Sequence, residues 1–540
     1  MKCIFTLFLL LPGLVLSQNN SSDSLNQYLA DRIQADSTPG ISIAVIDESG
    51  DASFFSSGYT SLDKTQQPDE HTIYEIGSIT KTFTASILQV LLAQNGLSIE
   101  TPVNELIKGH VQIHAYEDIE ITVGHLLNHH SALPRLPGNM DFEDPGDPYF
   151  FYTNELMYAY LDELSLTRKP GSEFEYSNLA YMLAGQIAEL LSDSEMDELY
   201  KRFITGPLEM NSTSRILADS SRFAQPTMAG QPVQPWNFDG VKGLGELRST
   251  ASDLSKYLKM MAGHIGHPYR NYFSRGFSDL MPLSENVYMG HGWFVRVVEN
   301  DTLVYHGGGT GGFRTFAGFS SVTGRGAVVL ANSGSDVQDI GLHLINSEFE
   351  LNPLKEFISI DEAHLDKLAG LYTSEVLPRF EVYHENGQLF GQMTGQIALP
   401  MMPLSETEFV NESVGATVTF TIEGDIATAM TLTQMGQSFP FIRDDDASEP
   451  EVMQKSEEEL EAYTGVYSGS GFQLTITRSG KQLSARLTGQ PAVEIYPSAQ
   501  NIFFYKVVPA ELHFSRNEDG RITKATLHQA GMELVFERGE

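Results

Sequence analysis

Cysteine is nearly missing from this chain, which has one, Cys3, among 540 residues. A lone cysteine forms no intramolecular disulfide, and cysteine-based zinc sites need several. Because Cys3 lies at the extreme start of the chain, it is also a poor position for a thiol nucleophile within a folded domain. We therefore expect the chemistry of this protein to come from other residue types.

Positive charge is scarce: 34 lysines and arginines face 70 aspartates and glutamates, a formal net charge of -36. A surface of this sign repels phosphate backbones and anionic lipid. We therefore expect neither nucleic acid nor a membrane surface as a partner, and the simplest role of the charge is solubility.

Long apolar runs are also rare, and the clearest one opens the chain. Lys2 is followed by an almost wholly apolar stretch from Ile4 to Leu16, and the small-residue positions before a cleavage site are filled by Val15 and Ser17. This pattern predicts a signal peptide at 1–17 and a periplasmic or secreted protein. The run is shorter than the roughly 20 residues that cross a bilayer, so no membrane insertion is expected after its removal.

Strand patterns lie at both ends of the first 350 residues, and helical patterns lie between them. A hairpin is predicted over 40–46 and 53–59, and helices and loops over 97–300, with one of the helices over 122–130. Strands are predicted over 303–306, 315–319 and 327–331, and a last helix over 337–348. This order predicts one α/β (α+β) domain at 18–352, with a mainly antiparallel sheet and a helical insert.

The remaining residues contain a repeat. Gly370-Leu371-Tyr372 matches Gly465-Val466-Tyr467, and Thr394-Gly395-Gln396 matches Thr488-Gly489-Gln490, so the offset is 95 (465 minus 370) or 94 (488 minus 394). Apolar residues alternate within each copy, with tight turns between the runs. We therefore predict two small all-β barrels at 356–446 and 454–540, joined by a charged linker.

Ser78 and Lys81 are three residues apart at the start of an apolar-periodic helix. At this spacing the two side chains share one helix face. A buried lysine with a lowered pKa can take the proton of a serine hydroxyl, or help another base to do so, and the helix N-terminus supplies N–H donors for an oxyanion. The pair is a candidate nucleophile and base, but S-x-x-K alone is also common at ordinary helix caps.

Tyr176 and Asn178 precede a second helix, about 100 residues further on. A lysine cation beside a tyrosine favours its phenolate form, so Tyr176 is a candidate base. Asn178 is a candidate for orienting Lys81 or a substrate amide. The alternative is that both residues simply cap the helix.

His306 is followed by three glycines at the end of a predicted strand. Glycines on an edge strand allow close approach of a peptide-like substrate, which Gly308 would permit. The N–H of Gly309 is a candidate oxyanion donor. Arg314 either binds a substrate carboxylate or forms a structural ion pair.

Taken together, these motifs resemble the serine β-lactamase and penicillin-binding-protein superfamily, in its class C-like branch. That branch carries S-x-x-K, Y-x-N and K-T-G or H-x-G, which here are Ser78 with Lys81, Tyr176 with Asn178, and His306 with Gly308. The resemblance covers about residues 25 to 350. It implies a serine acyl-enzyme mechanism that uses no cofactor, on a small peptide, amide or ester.

One position departs from many members of this superfamily. A lysine in the third motif provides a fixed positive charge for a substrate carboxylate, whereas His306 is mostly neutral near pH 7. This argues against classical penicillin hydrolysis and fits the H-x-G members, such as D-aminopeptidases and esterases. The C-terminal repeat is also similar to the two barrels of D-aminopeptidase, which help to shape substrate access there.

Several alternatives stay open at this stage. The base is Tyr176 or Lys81, and the activity is that of a D-aminopeptidase or DD-peptidase, an esterase or a β-lactamase. From another class, the protein is a catalytically weak binder of peptidoglycan fragments. His125 and His129 have an i, i+4 spacing that zinc sites use, but no H-E-x-x-H pattern accompanies it, so packing or capping is favoured over a metal.

Overall fold

The computed structural model describes residues 25–33, 39–140, 146–217, 219–228, 230–354, 357–374, 376–394, 398–411, 414–434, 437–445, 452–469, 472–488, 493–506, 509–517, 519–529 and 532–539. The predicted signal peptide and most of the charged linker lie outside these residues. Within them, no helix is both long enough and apolar enough to cross a membrane.

An eight-stranded antiparallel sheet forms the centre of the first domain. In spatial order its strands are β2 (Ala52–Gly58), β1 (Gly40–Ile46), β12 (Gly326–Ala331), β11 (Arg314–Ser320), β10 (Asp301–Gly309), β9 (Phe294–Val298), β8 (Val287–Met289) and β7 (Met281–Ser284). Two short ribbons lie outside it: β3 (Tyr74–Glu75) pairs with β6 (Arg248–Ser249), and β4 (Thr227–Met228) pairs with β5 (Gln231–Pro232). The predicted antiparallel sheet is confirmed.

Helices cover the chain between and around these strands. They are α1 (25–33), α2 (Thr80–Gln94), α3 (Val103–Leu106), α4 (Val123–Leu127), α5 (Asn154–Glu163), α6 (Asn178–Ser192), α7 (Met196–Tyr200), α8 (Ala251–Ala262), α9 (Arg270–Phe273) and α10 (Gln338–Ile345). A 3-10 turn, Gly77–Ile79, leads into α2, a π-helical turn, Lys201–Thr205, follows α7, and a 3-10 turn, Ser274–Phe277, follows α9.

The sheet buries both faces, as the alternation in β1 shows. Ile41 and Ile43 pack into a core with residues of α1 and α10, whereas Ala44 and Ile46 pack into the larger core on the other face. Successive strand residues point to opposite faces, which produces this division. Helix α2 runs through the larger core and is buried from Thr80 to Leu92.

Two sequence predictions differ from the structure. Strands β7, β8 and β9 lie in a region predicted to hold helices and loops. They are short and partly exposed, and they are strands because β9 pairs with β10, β8 with β9 and β7 with β8, not because of a strong local pattern. The helix predicted over 122–130 ends at Leu127, and His129 takes a left-handed backbone conformation with φ of 60°.

The C-terminal part forms two closed antiparallel barrels of eight strands, as predicted. The first contains β13 (Gly370–Thr373), β14 (Phe380–Glu385), β15 (Gln388–Met393), β16 (Leu399–Pro403), β17 (Glu408–Asn411), β18 (Ala416–Glu423), β19 (Ile426–Gln434) and β20 (Gln437–Arg443). The second contains β21 (Gly465–Gly469), β22 (Phe472–Ser479), β23 (Gln482–Leu487), β24 (Val493–Ala499), β25 (Ile502–Tyr505), β26 (Ala510–Arg516), β27 (Ile522–Gln529) and β28 (Met532–Arg538). Short helices, α11 (Glu362–Leu368) and α12 (Glu457–Glu461), precede them.

Equivalent hydrogen bonds recur in the two barrels. The Tyr372 hydroxyl donates to the Leu368 carbonyl at 2.7 Å, and the Tyr467 hydroxyl donates to the Tyr463 carbonyl at 2.8 Å. Both tyrosines are buried, so each bond satisfies a hydroxyl that would otherwise lie unpaired in an apolar core. The sequence repeat is therefore a repeat of structure.

Candidate active site

The nucleophile candidate, Ser78, lies in the 3-10 turn that leads into α2. Gly77 has φ of +50°, and a Cβ added there would come within 2.7 Å of the Gly309 nitrogen. Glycine at 77 is therefore required twice, for a left-handed backbone and for close approach of β10. Ser78 is partly exposed, whereas the residues on either side of it are buried, so its hydroxyl lies at the floor of an opening.

Lys81 is buried, with 1% of its surface exposed, one turn beyond Ser78. Its Nζ donates to the Ser78 Oγ at 3.0 Å and to the Leu244 carbonyl oxygen at 2.7 Å. Burial, with a contribution from the nearby Arg135 cation, lowers the pKa of Lys81 well below its usual value. The helical spacing predicted that these two side chains share a face, and they do.

A buried carboxylate, Glu246, organises the loop that presents the Leu244 carbonyl. It accepts hydrogen bonds from the Tyr200 hydroxyl at 2.7 Å and from three successive backbone N–H groups, at residues 243 (2.7 Å), 244 (3.1 Å) and 245 (3.0 Å). The sequence analysis did not single out this carboxylate. The four donors come from two separate parts of the chain, so the residue has no local pattern that would reveal it.

Tyr176 meets Ser78 from the opposite side. Its phenol is close enough to the Ser78 hydroxyl to affect the pKa of Tyr176, and the Lys81 Nζ lies 5.1 Å from its ring centroid. Burial raises the pKa of Tyr176 above its usual value, although the Ser78 hydrogen bond and the Arg135 charge act in the opposite direction. The tyrosine is therefore a neutral phenol in the resting site.

Asn178 begins α6 and lies beside this group. Its Nδ2 donates to the Tyr149 hydroxyl at 2.8 Å, and its buried Oδ1 has no hydrogen-bond partner in the described part of the chain. An amide oxygen left in this way has a free acceptor for a substrate N–H. No hydrogen bond joins Asn178 to Lys81 within the described residues, which leaves the substrate amide as its remaining predicted contact.

His129 supports Tyr176 and was not predicted to do so. The two rings stack with centroids 4.2 Å apart and an interplanar angle of 28°, and the Ser177 N–H donates to the His129 Nδ1 at 3.0 Å. Burial lowers the pKa of His129 well below its usual value, so the ring is neutral. The neighbouring His125 accepts at Nδ1 from the Thr122 N–H at 3.2 Å and so caps α4.

The glycine run at the end of β10 packs directly against the nucleophile turn. A Cβ added at Gly308 would come within 2.0 Å of the Ile76 carbonyl oxygen and 2.3 Å of the Thr315 Oγ1. The next residue, Gly309, is exposed, and its backbone lies against Gly77. The predicted oxyanion donor therefore lies beside the serine, on the neighbouring strand.

His306 is buried on the same strand. Its Nδ1 donates to the Gly307 carbonyl at 2.5 Å, and its ring centroid lies 6.2 Å from that of Tyr176. Burial, reinforced by the Lys81 cation, lowers the pKa of His306 from 6.5 to about 3. The histidine is therefore neutral at neutral pH and provides no fixed charge.

Arg314 is held at the β10–β11 turn. Its Nη1 donates to the carbonyls of Thr310 at 2.9 Å and Phe313 at 3.0 Å, and burial lowers its pKa. These bonds stabilise the turn after the glycine run. The predicted alternative, a contact with a substrate carboxylate, stays a prediction.

These residues, which are distant in sequence, meet around one hydroxyl. A serine within hydrogen-bond distance of a buried lysine of lowered pKa, with a tyrosine phenol nearby, has the arrangement of an activated nucleophile. Combined with this sheet and its helical insert, the arrangement defines a serine hydrolase.

The chain belongs to the Beta-lactamase family, whose profile matches residues 25–345. A second profile, a domain of unknown function (DUF3471), matches residues 449–538, which include the second barrel.

Among curated proteins, the chain is 25% identical to penicillin-binding protein 4* of Bacillus subtilis, over 73% of this chain and 93% of the relative. It is 27% identical to the D-alanyl-D-alanine-carboxypeptidase/endopeptidase AmpH of Escherichia coli K12, over 44% of this chain and 61% of the relative. Among solved structures, the octameric penicillin-binding protein homologue from Pyrococcus abyssi aligns with a TM-score of 0.54 and 25% identity, over 78% of this chain and all of that one.

Proposed function

We propose that the protein is an exported serine hydrolase that acts through an acyl-enzyme on an amide or ester, and that its substrate is a D-amino-acid-containing peptide or amide. The observation that carries this proposal is the 3.0 Å hydrogen bond between the Nζ of the buried Lys81 and the Oγ of the partly exposed Ser78. Export rests on the N-terminal sequence pattern, and the proposed domain limits are 18–352, 356–446 and 454–540.

Lys81 is the proposed base for acylation. Its lowered pKa makes the neutral amine accessible, and the amine is already at hydrogen-bond distance from the hydroxyl that must lose a proton. The Leu244 carbonyl fixes the amine in this position. Tyr176 is the weaker candidate for this step because burial holds it as a phenol.

The N–H groups of Ser78 and Gly309 are the proposed oxyanion donors. One belongs to the nucleophile turn and the other to the adjoining end of β10, so they converge from two elements. Two fixed donors aimed at a developing charge are the usual means of stabilising a tetrahedral intermediate.

Tyr176 is the proposed donor of a proton to the leaving group. A neutral phenol close to Ser78 lies next to the bond that breaks, and the Lys81 cation formed in acylation is near enough to restore the lost proton. Water then enters in place of the leaving group, and the same residues act in reverse to release the acyl group.

The substrate class is inferred from the site and the relatives together. AmpH is a D-alanyl-D-alanine carboxypeptidase and endopeptidase by name, and the free Asn178 Oδ1 suits an amide N–H. The neutral His306 argues against a carboxylate bound at the third motif, as classical penicillins require. Esterase or β-lactamase activity of the same branch is the second candidate.

A panel of four substrates tests the proposal: a D-amino-acid amide, a peptidoglycan stem peptide, a short ester and a β-lactam. We expect turnover of the first or second to exceed the others and to vanish in Ser78→Ala. Equal turnover by wild type and Ser78→Ala would refute the mechanism. Binding of stem peptide by wild type without turnover of any substrate would favour the binding-protein alternative.

A further inference from the structure

We propose that the guanidinium of Arg135 binds a free carboxylate on the leaving-group side of the substrate. The inference rests on the proposed function and goes further, since it names the residue that selects the substrate. Arg135 has no part in the three motifs.

Arg135 lies at the mouth of the site. Its Cζ is 5.3 Å from the Tyr176 ring centroid, and the residue is exposed. Its backbone is held on both sides of the second motif: its carbonyl accepts from the Asn178 N–H at 2.9 Å, and its N–H donates to the Glu175 Oε1 at 3.1 Å. A long side chain on a fixed backbone can therefore present its charge reproducibly beside the nucleophile.

The Arg135 guanidinium has no acidic partner among the residues that the structure describes, and it lies over the Tyr176 ring. Other arginines near the site are paired: Arg168 with Glu175, and Arg248 with Glu75 at 3.2 Å. Within the described part of the chain, the Arg135 charge is therefore available to a carboxylate of the substrate. Its planar donors match a carboxylate in a bidentate manner.

The side of the substrate follows from the path of the proton. The group that protonates the leaving atom must lie next to it, and Tyr176 holds that position in the proposed mechanism. Arg135 contacts the same ring, so its charge lies on the leaving-group side of the scissile bond. A peptide that releases a terminal amino acid carries its carboxylate there.

The other cationic candidates do not fill this role. Burial and the adjacent Lys81 keep His306 neutral, and the Arg314 Nη1 is bonded to two carbonyls of its own turn. Lys81 itself is buried and engaged with Ser78. Arg135 differs from these three groups because it is exposed and lies close enough to act on the pKa of Lys81.

Two matched thioesters of N-acetyl-D-alanine test the inference, one with mercaptoacetate and one with mercaptoacetamide as the leaving group. Their turnover is followed by thiol release in wild type, Arg135→Gln, Arg135→Lys and Arg325→Gln. Arg325 is an exposed arginine near the opposite end of β11, so its variant removes the same charge away from the site. Thermal unfolding checks that each variant is folded.

Wild type and Arg325→Gln should prefer the carboxylate thioester in kcat/KM. Arg135→Gln should lose about 10- to 100-fold on that substrate alone, the value of a charge-assisted hydrogen bond, and Arg135→Lys should keep part of the preference. Equal losses on both thioesters would mean that Arg135 acts only through the effect of its charge on Tyr176 and Lys81, and would overturn the inference. Failure of wild type to release thiol from either would overturn the proposed function, and the inference with it.

Discussion

Replacing Gly308 with alanine should separate β10 from the nucleophile turn. The new Cβ would lie 2.0 Å from the Ile76 carbonyl oxygen, whereas ordinary contacts begin near 3.4 Å, so one backbone must move by about 1.4 Å. Since Gly309 follows directly, its N–H moves with the strand. A displacement of about 1 Å at reacting groups costs about 10²-fold in rate, and overpacking of this kind costs about 1–3 kcal/mol in stability.

Gly307→Ala is the matched control for this variant. A Cβ at Gly307 would meet its nearest neighbour, the Thr315 carbonyl oxygen, at 3.6 Å, which is an ordinary contact. We expect kcat/KM and the unfolding midpoint to be near wild type for Gly307→Ala, and both to fall for Gly308→Ala. Equal activity of the two variants would refute the claim that close packing of β10 against the Ser78 turn positions the Gly309 N–H as an oxyanion donor.

Three further predictions concern buried titratable side chains. Lys81→Met should lower kcat by about 10²- to 10⁴-fold because it removes the base. It should not lower the melting temperature, because it also removes a buried amine that is costly to desolvate. Near-normal turnover would contradict the role of Lys81 as the base. Glu246→Gln should lower the free energy of unfolding in urea by about 3 kcal/mol, because an amide cannot accept from all four donors. The control Glu198→Gln changes an exposed side chain and should leave this free energy near wild type. Equal stabilities of the two variants would contradict the role of Glu246. The pKa of His306 is 6.5 when unfolded and about 3 when folded, so the free energy of unfolding falls as pH is lowered between these values, by up to about 1.4 kcal/mol per pH unit. His306→Gln should show a shallower fall. Parallel curves of unfolding free energy against pH for the two proteins would contradict a neutral histidine.

The fold was readable from the sequence wherever local periodicity was strong. The Ile79 and Phe83 spacing predicted α2, and the alternating runs with a 94- or 95-residue offset predicted two barrels. Strands β7 to β9 were missed because their identity depends on pairing outward from β10. Such pairing leaves little trace in three- to five-residue segments.

The site divides in the same way. The Ser78 and Lys81 pair follows from helix geometry, and their proximity is what the spacing predicted. Glu246 and His129 act through contacts that join separate parts of the chain. Glu246 accepts from the Tyr200 hydroxyl, 46 residues away, and the His129 Nδ1 accepts from the Ser177 N–H, 48 residues away. Arg135 was missed for another reason: its significance is its place over the Tyr176 ring and the lack of an acidic partner among the described residues, and such neighbours become known only once the chain is folded.

The central claim, that Ser78 is the nucleophile, is tested most directly by covalent labelling. Wild type and Ser78→Ala are treated with a serine-reactive phosphonate, and the intact masses and the labelled peptide are measured. We expect one adduct on the wild-type protein, located at Ser78, and none on the variant. An adduct of equal yield on Ser78→Ala, or a wild-type adduct located on another residue, would contradict the mechanism.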